Sequence, residues 1–452
     1  MLRTERDGLP VIHLPYMTAR IGALSLLAGL GLFVAGCGSE RALAPAAPGS
    51  STTPEASAGL IVSGSPAEVV VVLRRTTVPT AVWEDYGLLP QEVLSDGRTW
   101  RTIVQGPGRS VTDILNSLAG DSRVNDAEPN VPVSTPILKQ SSMSFDEGFP
   151  SIESFHDQSV NRRLHLTAAH ATSRGYGVLV AILDTGINPN HAGLRGVVEA
   201  GYDFVDRDSD PTEAPDGLDQ DGDGLMDEAL GHGTHVAGLV SLVAPGAHIL
   251  PLRVLNNDGV GNAYAVASAI EYAVNKGASV INMSLTFSSP SAAVDRAITM
   301  AQQHGVVMVV AAGNSGQYGP LDYPASDPRV LAVASVNQYG QRSTFSAWSK
   351  DITLSAPGEN LLSTFWNGGY AVWSGTSMSA PIVSGTAALL MSRRLGLSAT
   401  EVRNRLVLRA QPITGASYGL GAGIVDPAAA VGRLSSVEHP DILAADGLPD
   451  SR

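Results

Sequence analysis

Val178-Leu179-Val180-Ala181-Ile182-Leu183 contains no polar residue and ends directly on Asp184-Thr185-Gly186-Ile187. A strand with one wet face alternates apolar and polar residues, whereas an unbroken apolar run suits a strand covered on both faces. Similar runs follow at Ile249–Leu255, Val280–Leu285, Val306–Ala311 and Val330–Val336, with helical spacing of apolar residues between them at 262–275 and 291–304. Alternation of buried strands and amphipathic helices implies a mostly parallel sheet with helices on both faces, a three-layer α/β fold. Sites in such sheets lie beyond the carboxyl ends of the strands, so the residues that follow each run are the candidates for chemistry.

Asp184 follows the first run, where a carboxylate can be buried and aimed at an imidazole. Alone it is also an ordinary strand-end turn. His232 lies in Gly231-His232-Gly233-Thr234-His235-Val236-Ala237-Gly238, followed by a helical apolar face. Imidazole suits proton transfer near neutral pH. His232 and His235 are three apart and no Glu follows His232, so the zinc pattern H-E-x-x-H is absent. Ser377 lies in Gly375-Thr376-Ser377-Met378-Ser379-Ala380-Pro381 ahead of an apolar helix. At a helix N-terminus, backbone N–H groups favour a developing oxyanion. The plainer role there is an N-cap, for which Ser379 competes. Asn314, in Ala311-Ala312-Gly313-Asn314-Ser315-Gly316, offers a side-chain amide donor after another buried run.

The four segments, in this order, resemble the motifs of the subtilase family of serine peptidases. Ala356-Pro357-Gly358, Ser363-Thr364 and Gly421-Ala422-Gly423-Ile424-Val425-Asp426 add to the resemblance, which covers roughly 160–434. It implies a subtilisin-like fold and an endopeptidase that needs no cofactor for catalysis. Asp184 would orient, His232 act as base and Ser377 as nucleophile, with Asn314 and the Ser377 N–H as the oxyanion hole. The family binds an extended polypeptide substrate as an added strand. Gly259, Gly261, Ser284 and Leu285 match the two flanking segments. Thr286 stands where the family usually has Gly, which narrows the first specificity pocket. Asp322, before Tyr323-Pro324, falls where that pocket has its base, and a carboxylate there would attract Lys or Arg. The alternative is a solvent-facing loop aspartate.

In Asp216–Glu228 (DGLDQDGDGLMDE), Asp219, Asp221 and Asp223 alternate, Gly224 turns the chain and Asp227 follows. Hard oxygen ligands at this spacing suit a structural Ca²⁺, although Leu230 replaces the final Glu of an EF-hand. A solvated acidic loop is the alternative.

Further out, Glu68–Leu73 is β-branched and Val111–Leu118 has helical spacing, with Ser110 or Thr112 as N-cap. With the closing Val124-Asn125-Asp126-Ala127-Glu128-Pro129-Asn130, this small α+β segment resembles the inhibitory pro-domain of subtilases. Arg20, the apolar run 21–36 and the chain's one cysteine, Cys37, look like an export signal with a lipobox. That resemblance implies a lipid on Cys37 and a membrane-anchored bacterial lipoprotein. An ordinary signal peptide or a short anchor helix are the alternatives, and Met17 makes a neater start. The expected organisation is signal 1–36, flexible tether 37–66, pro-domain 67–135, maturation linker 136–159, catalytic domain 160–434 and acidic tail 435–452. One cysteine rules out an internal disulfide. A net charge of -14 without a basic stripe disfavours nucleic acid as partner. Two function classes remain: an active peptidase that removes its own pro-domain, and a silent surface protein that uses the fold for binding. The full set of four segments favours the first.

Overall fold

The computed structural model describes residues 67–106, 108–135, 151–394, 396–413 and 418–432. The expected signal, tether with Cys37, most of the expected linker and the expected acidic tail lie outside the described residues. Within them no helix is long and apolar enough to cross a membrane.

The first unit is β1 (Glu68–Leu73), α1 (Pro79–Tyr86), β2 (Leu88–Val93), β3 (Thr99–Val104), α2 (Val111–Leu118) and β4 (Val124–Pro129). The four strands form one sheet in the order β2-β3-β1-β4, with β1 antiparallel to both neighbours. Ser110 caps α2 by accepting from the Asp113 N–H at 3.1 Å. One face of the sheet closes its own core, in which Val69, Val71, Val82, Trp83, Ile114 and Leu118 are buried together. The alternate residue Val70, with Leu94 and Val131, belongs instead to the core of the larger domain. The period of two along β1 thus splits the strand between two cores.

The chain continues through β5 (Pro132–Ser134), α3 (Ile152–His156), α4 (Ser159–Arg163), α5 (Leu166–His170), β6 (Leu179–Asp184), β7 (Tyr202–Asp203), α6 (His232–Val243) and β8 (His248–Arg253). Then come β9 (Val260–Asn262), α7 (Ala263–Asn275), β10 (Val280–Met283), β11 (Thr286–Phe287), α8 (Ala292–Gln303), β12 (Val307–Ala311), β13 (Leu331–Val336) and β14 (Leu354–Pro357). A hairpin of β15 (Leu361–Thr364) and β16 (Tyr370–Trp373) precedes α9 (Thr376–Arg393), α10 (Ala399–Leu408) and α11 (Pro427–Val431). Seven strands form the main sheet in the order β14-β13-β12-β10-β6-β8-β7, all in parallel pairs. Every predicted apolar run is a strand of this sheet, and separate apolar cores cover its two faces. The three-layer α/β fold is as expected. One boundary differs: the stretch 136–159 ends in the helix α3, whose Phe155 is fully buried in the main core. The large domain's packing therefore begins before residue 160.

Candidate active site

Asp184 is the last residue of β6, inside the sheet between β10 and β8, and His232 opens α6. Both are buried, and His232 Nδ1 lies 2.6 Å from Asp184 Oδ1. The same oxygen accepts the Thr185 N–H at 2.9 Å, which fixes the carboxylate against its own turn. The His232 ring faces Trp373, 5.6 Å between centroids. His235, one helical turn on, takes another part. Its Nε2 lies 3.1 Å from the carbonyl oxygens of both Leu361 and Ala371, so it must carry the proton. Burial, with the neighbouring His232, pushes His235 down to about 3. A neutral ring that spends its Nε2 proton on two carbonyls pins α6 to the β15–β16 hairpin. The pair His232/His235 is thus divided between two tasks, with no ligand geometry in common.

Ser377 is the second residue of α9, whose N-cap is Gly375. It is not itself the cap, and neither is Ser379, whose hydroxyl reaches the Ala356 and Pro357 carbonyls. Capping falls to Asn314, whose Oδ1 accepts from the Thr376 N–H at 3.0 Å and the Thr376 hydroxyl at 2.9 Å. Of the two ends of an amide side chain only the oxygen accepts, so these bonds fix the amide's orientation. A Cβ built on Gly375 would lie 3.3 Å from Asn314 Nδ2 and 3.7 Å from the Ser377 N. The two donors therefore border one small space beside the Ser377 side chain. Pro381 stands within α9 and has no N–H for the Ser377 carbonyl. The Ser284 hydroxyl supplies that bond at 3.0 Å, which ties the end of β10 to the first turn of α9. Helices α6 and α9 pack together. Ser377 Oγ and His232 Nε2, on their first turns, are both buried without a hydrogen-bond partner. Such bonds are often loose before substrate binds.

A three-stranded sheet flanks this centre, in the order β11-β5-β9. The middle strand, β5, comes directly after the small N-terminal unit. Val133 pairs with Gly261 and Phe287, Ser134 with Val260 and Thr286, and the Thr135 N–H donates to the Gly259 carbonyl at 2.9 Å. A Cβ on Gly261 would stand 2.1 Å from the Val254 oxygen and 3.2 Å from Val133 Cγ1, so only glycine fits. Gly259 has φ +75°, in the turn that feeds β9. Leu285 is fully buried, behind the strand edge. Asp322 is exposed, yet its Oδ2 lies 4.0 Å from where a Gly313 Cβ would be, and partial burial raises its pKa.

In the acidic loop, one carboxylate oxygen from each of Asp219, Asp221 and Asp223 lies within 4.8 Å of the others. Asp227 stands apart from this expected set. Its carboxylate accepts from the Asp216 and Gly217 N–H groups and from Asn257 Nδ2 at 2.9 to 3.1 Å, closing the base of the loop. Sequence reasoning missed Glu213, a buried carboxylate at the start of α6, because nothing in the acidic run 206–228 distinguishes it.

Residues 175–423 match the profile of the Subtilase family. The chain is 38% identical over 280 residues to thermitase of Thermoactinomyces vulgaris, covering 60% of this chain and 94% of that protein. It is 39% identical over 269 residues to subtilisin DY of Bacillus licheniformis, covering 57% and 92%. The fold is similar to that of fervidolysin from Fervidobacterium pennivorans, with TM-score 0.67, 24% identity and coverage of 84% of this chain and 63% of that one. A protease of Pseudoalteromonas arctica superposes at TM-score 0.54 with 33% identity, over 59% and 93%. A central parallel sheet that presents an aspartate–histidine pair beside a buried helix-start serine, in a chain of this similarity, belongs to the subtilase family: the protein is a subtilisin-like serine endopeptidase.

Proposed function

We propose that peptide hydrolysis runs through Asp184, His232 and Ser377, and the observation that carries this reading is the buried 2.6 Å contact between His232 Nδ1 and Asp184. That bond holds the ring in the tautomer whose Nε2 accepts a proton. Ser377 Oγ attacks the substrate carbonyl as His232 Nε2 takes its proton. Asp184 stabilises the imidazolium, and Asn314 Nδ2 with the Ser377 N–H receives the oxyanion. His232 then protonates the leaving amine. Water, deprotonated by the same nitrogen, hydrolyses the acyl-enzyme. Nothing in these steps calls for a cofactor.

The substrate lies as an extended strand between β9 and β11, the position β5 holds in the precursor. Residues 67–135 act as a pro-domain that delivers β5 into the cleft and inhibits until the chain is cut after it. Asp322 favours a basic side chain before the scissile bond, supported by its proximity to Gly313. Asp219, Asp221 and Asp223 bind a structural Ca²⁺. Their clustered oxygens are hard donors, and bringing such charges together is favourable with a cation. Export and anchoring through a lipid on Cys37 rest on the N-terminal sequence alone. Membrane fractionation of Cys37→Ser, with release into the soluble fraction as the expected result, tests the anchor. For the triad, Ser377→Ala is expected to accumulate as uncut precursor in a host lacking other subtilases. Normal processing of that variant would contradict self-maturation.

A further inference from the structure

Helix α6 carries His232 but begins with a glycine at its N-cap, so it has no cap of its own. A side chain at Gly231 is excluded, because a Cβ would fall 2.2 Å from Phe365. The orphan N–H groups of the first turn still need acceptors. They find the Glu213 carboxylate, which arrives from 18 residues before the helix cap. Glu213 Oε1 accepts from the Gly231 N–H at 3.1 Å and the Gly233 N–H at 3.3 Å, and Oε2 from the Thr234 N–H at 3.2 Å. The Thr234 hydroxyl also donates to Oε2.

The same carboxylate reaches the other half of the pair. The Thr185 hydroxyl donates to Glu213 Oε1 and also lies 3.3 Å from Asp184 Oδ1, while accepting the Gly233 N–H at 2.9 Å. A hydroxyl has one proton, so what Thr185 gives to Glu213 it withholds from Asp184. Gly186 keeps this approach open. A Cβ there would stand 2.6 Å from the Pro211 oxygen and 3.1 Å from Glu213 Cγ.

The geometry points to Glu213 as a positioning residue for the triad: its carboxylate joins the turn carrying Asp184 to the helix start carrying His232, and through Thr185 sets the hydrogen bonding of Asp184. This inference rests on the reading of Asp184, His232 and Ser377 given above. The charged groups beside Glu213 are Asp184 on the β6 turn and Arg253 at the end of β8, whose Nη1 binds Asp203 at 2.7 Å and Asp206 at 2.6 Å, and its carboxylate accepts the N–H groups on both sides of His232. Burial raises the Glu213 carboxyl to about 7, with Asp184 adding to the rise and the Thr185 and Thr234 bonds opposing it. Its charge therefore changes near neutral pH. When ionised it holds the N–H groups on both sides of His232, and when protonated it frees the Thr185 proton for Asp184.

The test compares wild type, Glu213→Gln and Glu213→Asp as mature enzyme on a small chromogenic peptide across pH. Removing a negative charge near His232 lowers the imidazolium's pKa, so Glu213→Gln is expected to move the acid limb of kcat/KM to lower pH by about half a unit. It is also expected to lower kcat about tenfold with KM within about twofold, since alignment rather than binding is lost. Glu213→Asp retains the charge but is one methylene short, so it is expected to keep the limb near wild type while losing kcat. If Glu213→Gln does not mature, the His232 ring titration is followed by NMR in Ser377→Ala and Ser377→Ala/Glu213→Gln precursors, which need no processing. An unmoved limb and kcat, or an unmoved His232 titration, reduces Glu213 to a structural cap and overturns the inference. Ser377→Ala enzyme with wild-type activity would instead overturn the triad reading beneath it.

Discussion

At the centre, side chains are fixed by named bonds. The Asn314 oxygen accepts from Thr376, and its amide nitrogen lies beside the Ser377 N. Asn314→Leu is therefore expected to lower kcat by about 10²–10³ with little change in KM, because the donor acts on charge that exists only in the transition state. A variant altered in KM alone would remove Asn314 from the oxyanion hole. His235 gives a pH effect of definite sign. Its native pKa lies at about 3, below the 6.5 of an unfolded histidine. Between those values the unfolded chain binds a proton that the native protein refuses, so stability falls as pH drops through that window. The slope is about 1.4 kcal/mol per pH unit for one such group. Denaturant titrations of Ser377→Ala and Ser377→Ala/His235→Asn between pH 7 and 4 check this. The second variant is expected to show the shallower pH dependence, and equal slopes would contradict it. Asp184, His232, Asn314 and Ser377 were legible in the sequence because each sits in a short local motif. Glu213 was not, because its meaning lies in N–H groups far along the chain.

At the scale of elements, the small N-terminal unit docks on helices α7 and α8. Glu128 of β4 accepts from the Ala292 and Ala293 N–H groups at 2.6 and 2.9 Å and from the Ser291 hydroxyl at 2.8 Å, at the positive end of α8. Asp126 pairs with Arg296 at 3.0 Å, and Glu271 of α7 accepts the Ser95 N–H at 2.8 Å. Charged hydrogen bonds of this kind contribute about 1.5–3 kcal/mol. Glu128→Ala in the full chain is expected to weaken the hold of this unit about tenfold or more. If the unit is the proposed pro-domain, active enzyme would then appear sooner, and an unchanged lag would contradict the proposal. The strands and the helix α2 could be read from periodicity alone. The seat of β5 could not, since a three-residue strand with no period of its own is defined by the edges it pairs with. Likewise Phe155 is buried in the main core although it lies in a polar stretch of no clear period.

For the whole molecule, the acidic loop is tied to the turn before β9. The Asp227 N–H donates to Asp258 Oδ1 at 2.8 Å, and Asp258 sits in the turn that leads into β9. With Ca²⁺ bound only to the native state, chelation is expected to lower the melting temperature by on the order of 5 °C. Replacing Asp219, Asp221 and Asp223 by Asn should abolish that sensitivity. A melting curve unchanged by chelator would leave the loop as a solvated acidic turn. The parallel sheet, its two covered faces and the order of the four motifs were all readable from one chain. The loop's division of labour was not: Asp227 has the spacing of a ligand, but Asn257 and the Asp216 turn claim it. The most direct test of the account is covalent labelling of the mature protein with a fluorophosphonate, followed by peptide mapping. The expected result is a single adduct on Ser377, absent from Ser377→Ala and suppressed in His232→Ala. An active enzyme whose label maps to any other serine, or that takes no label, would contradict the assignment of Ser377 as nucleophile.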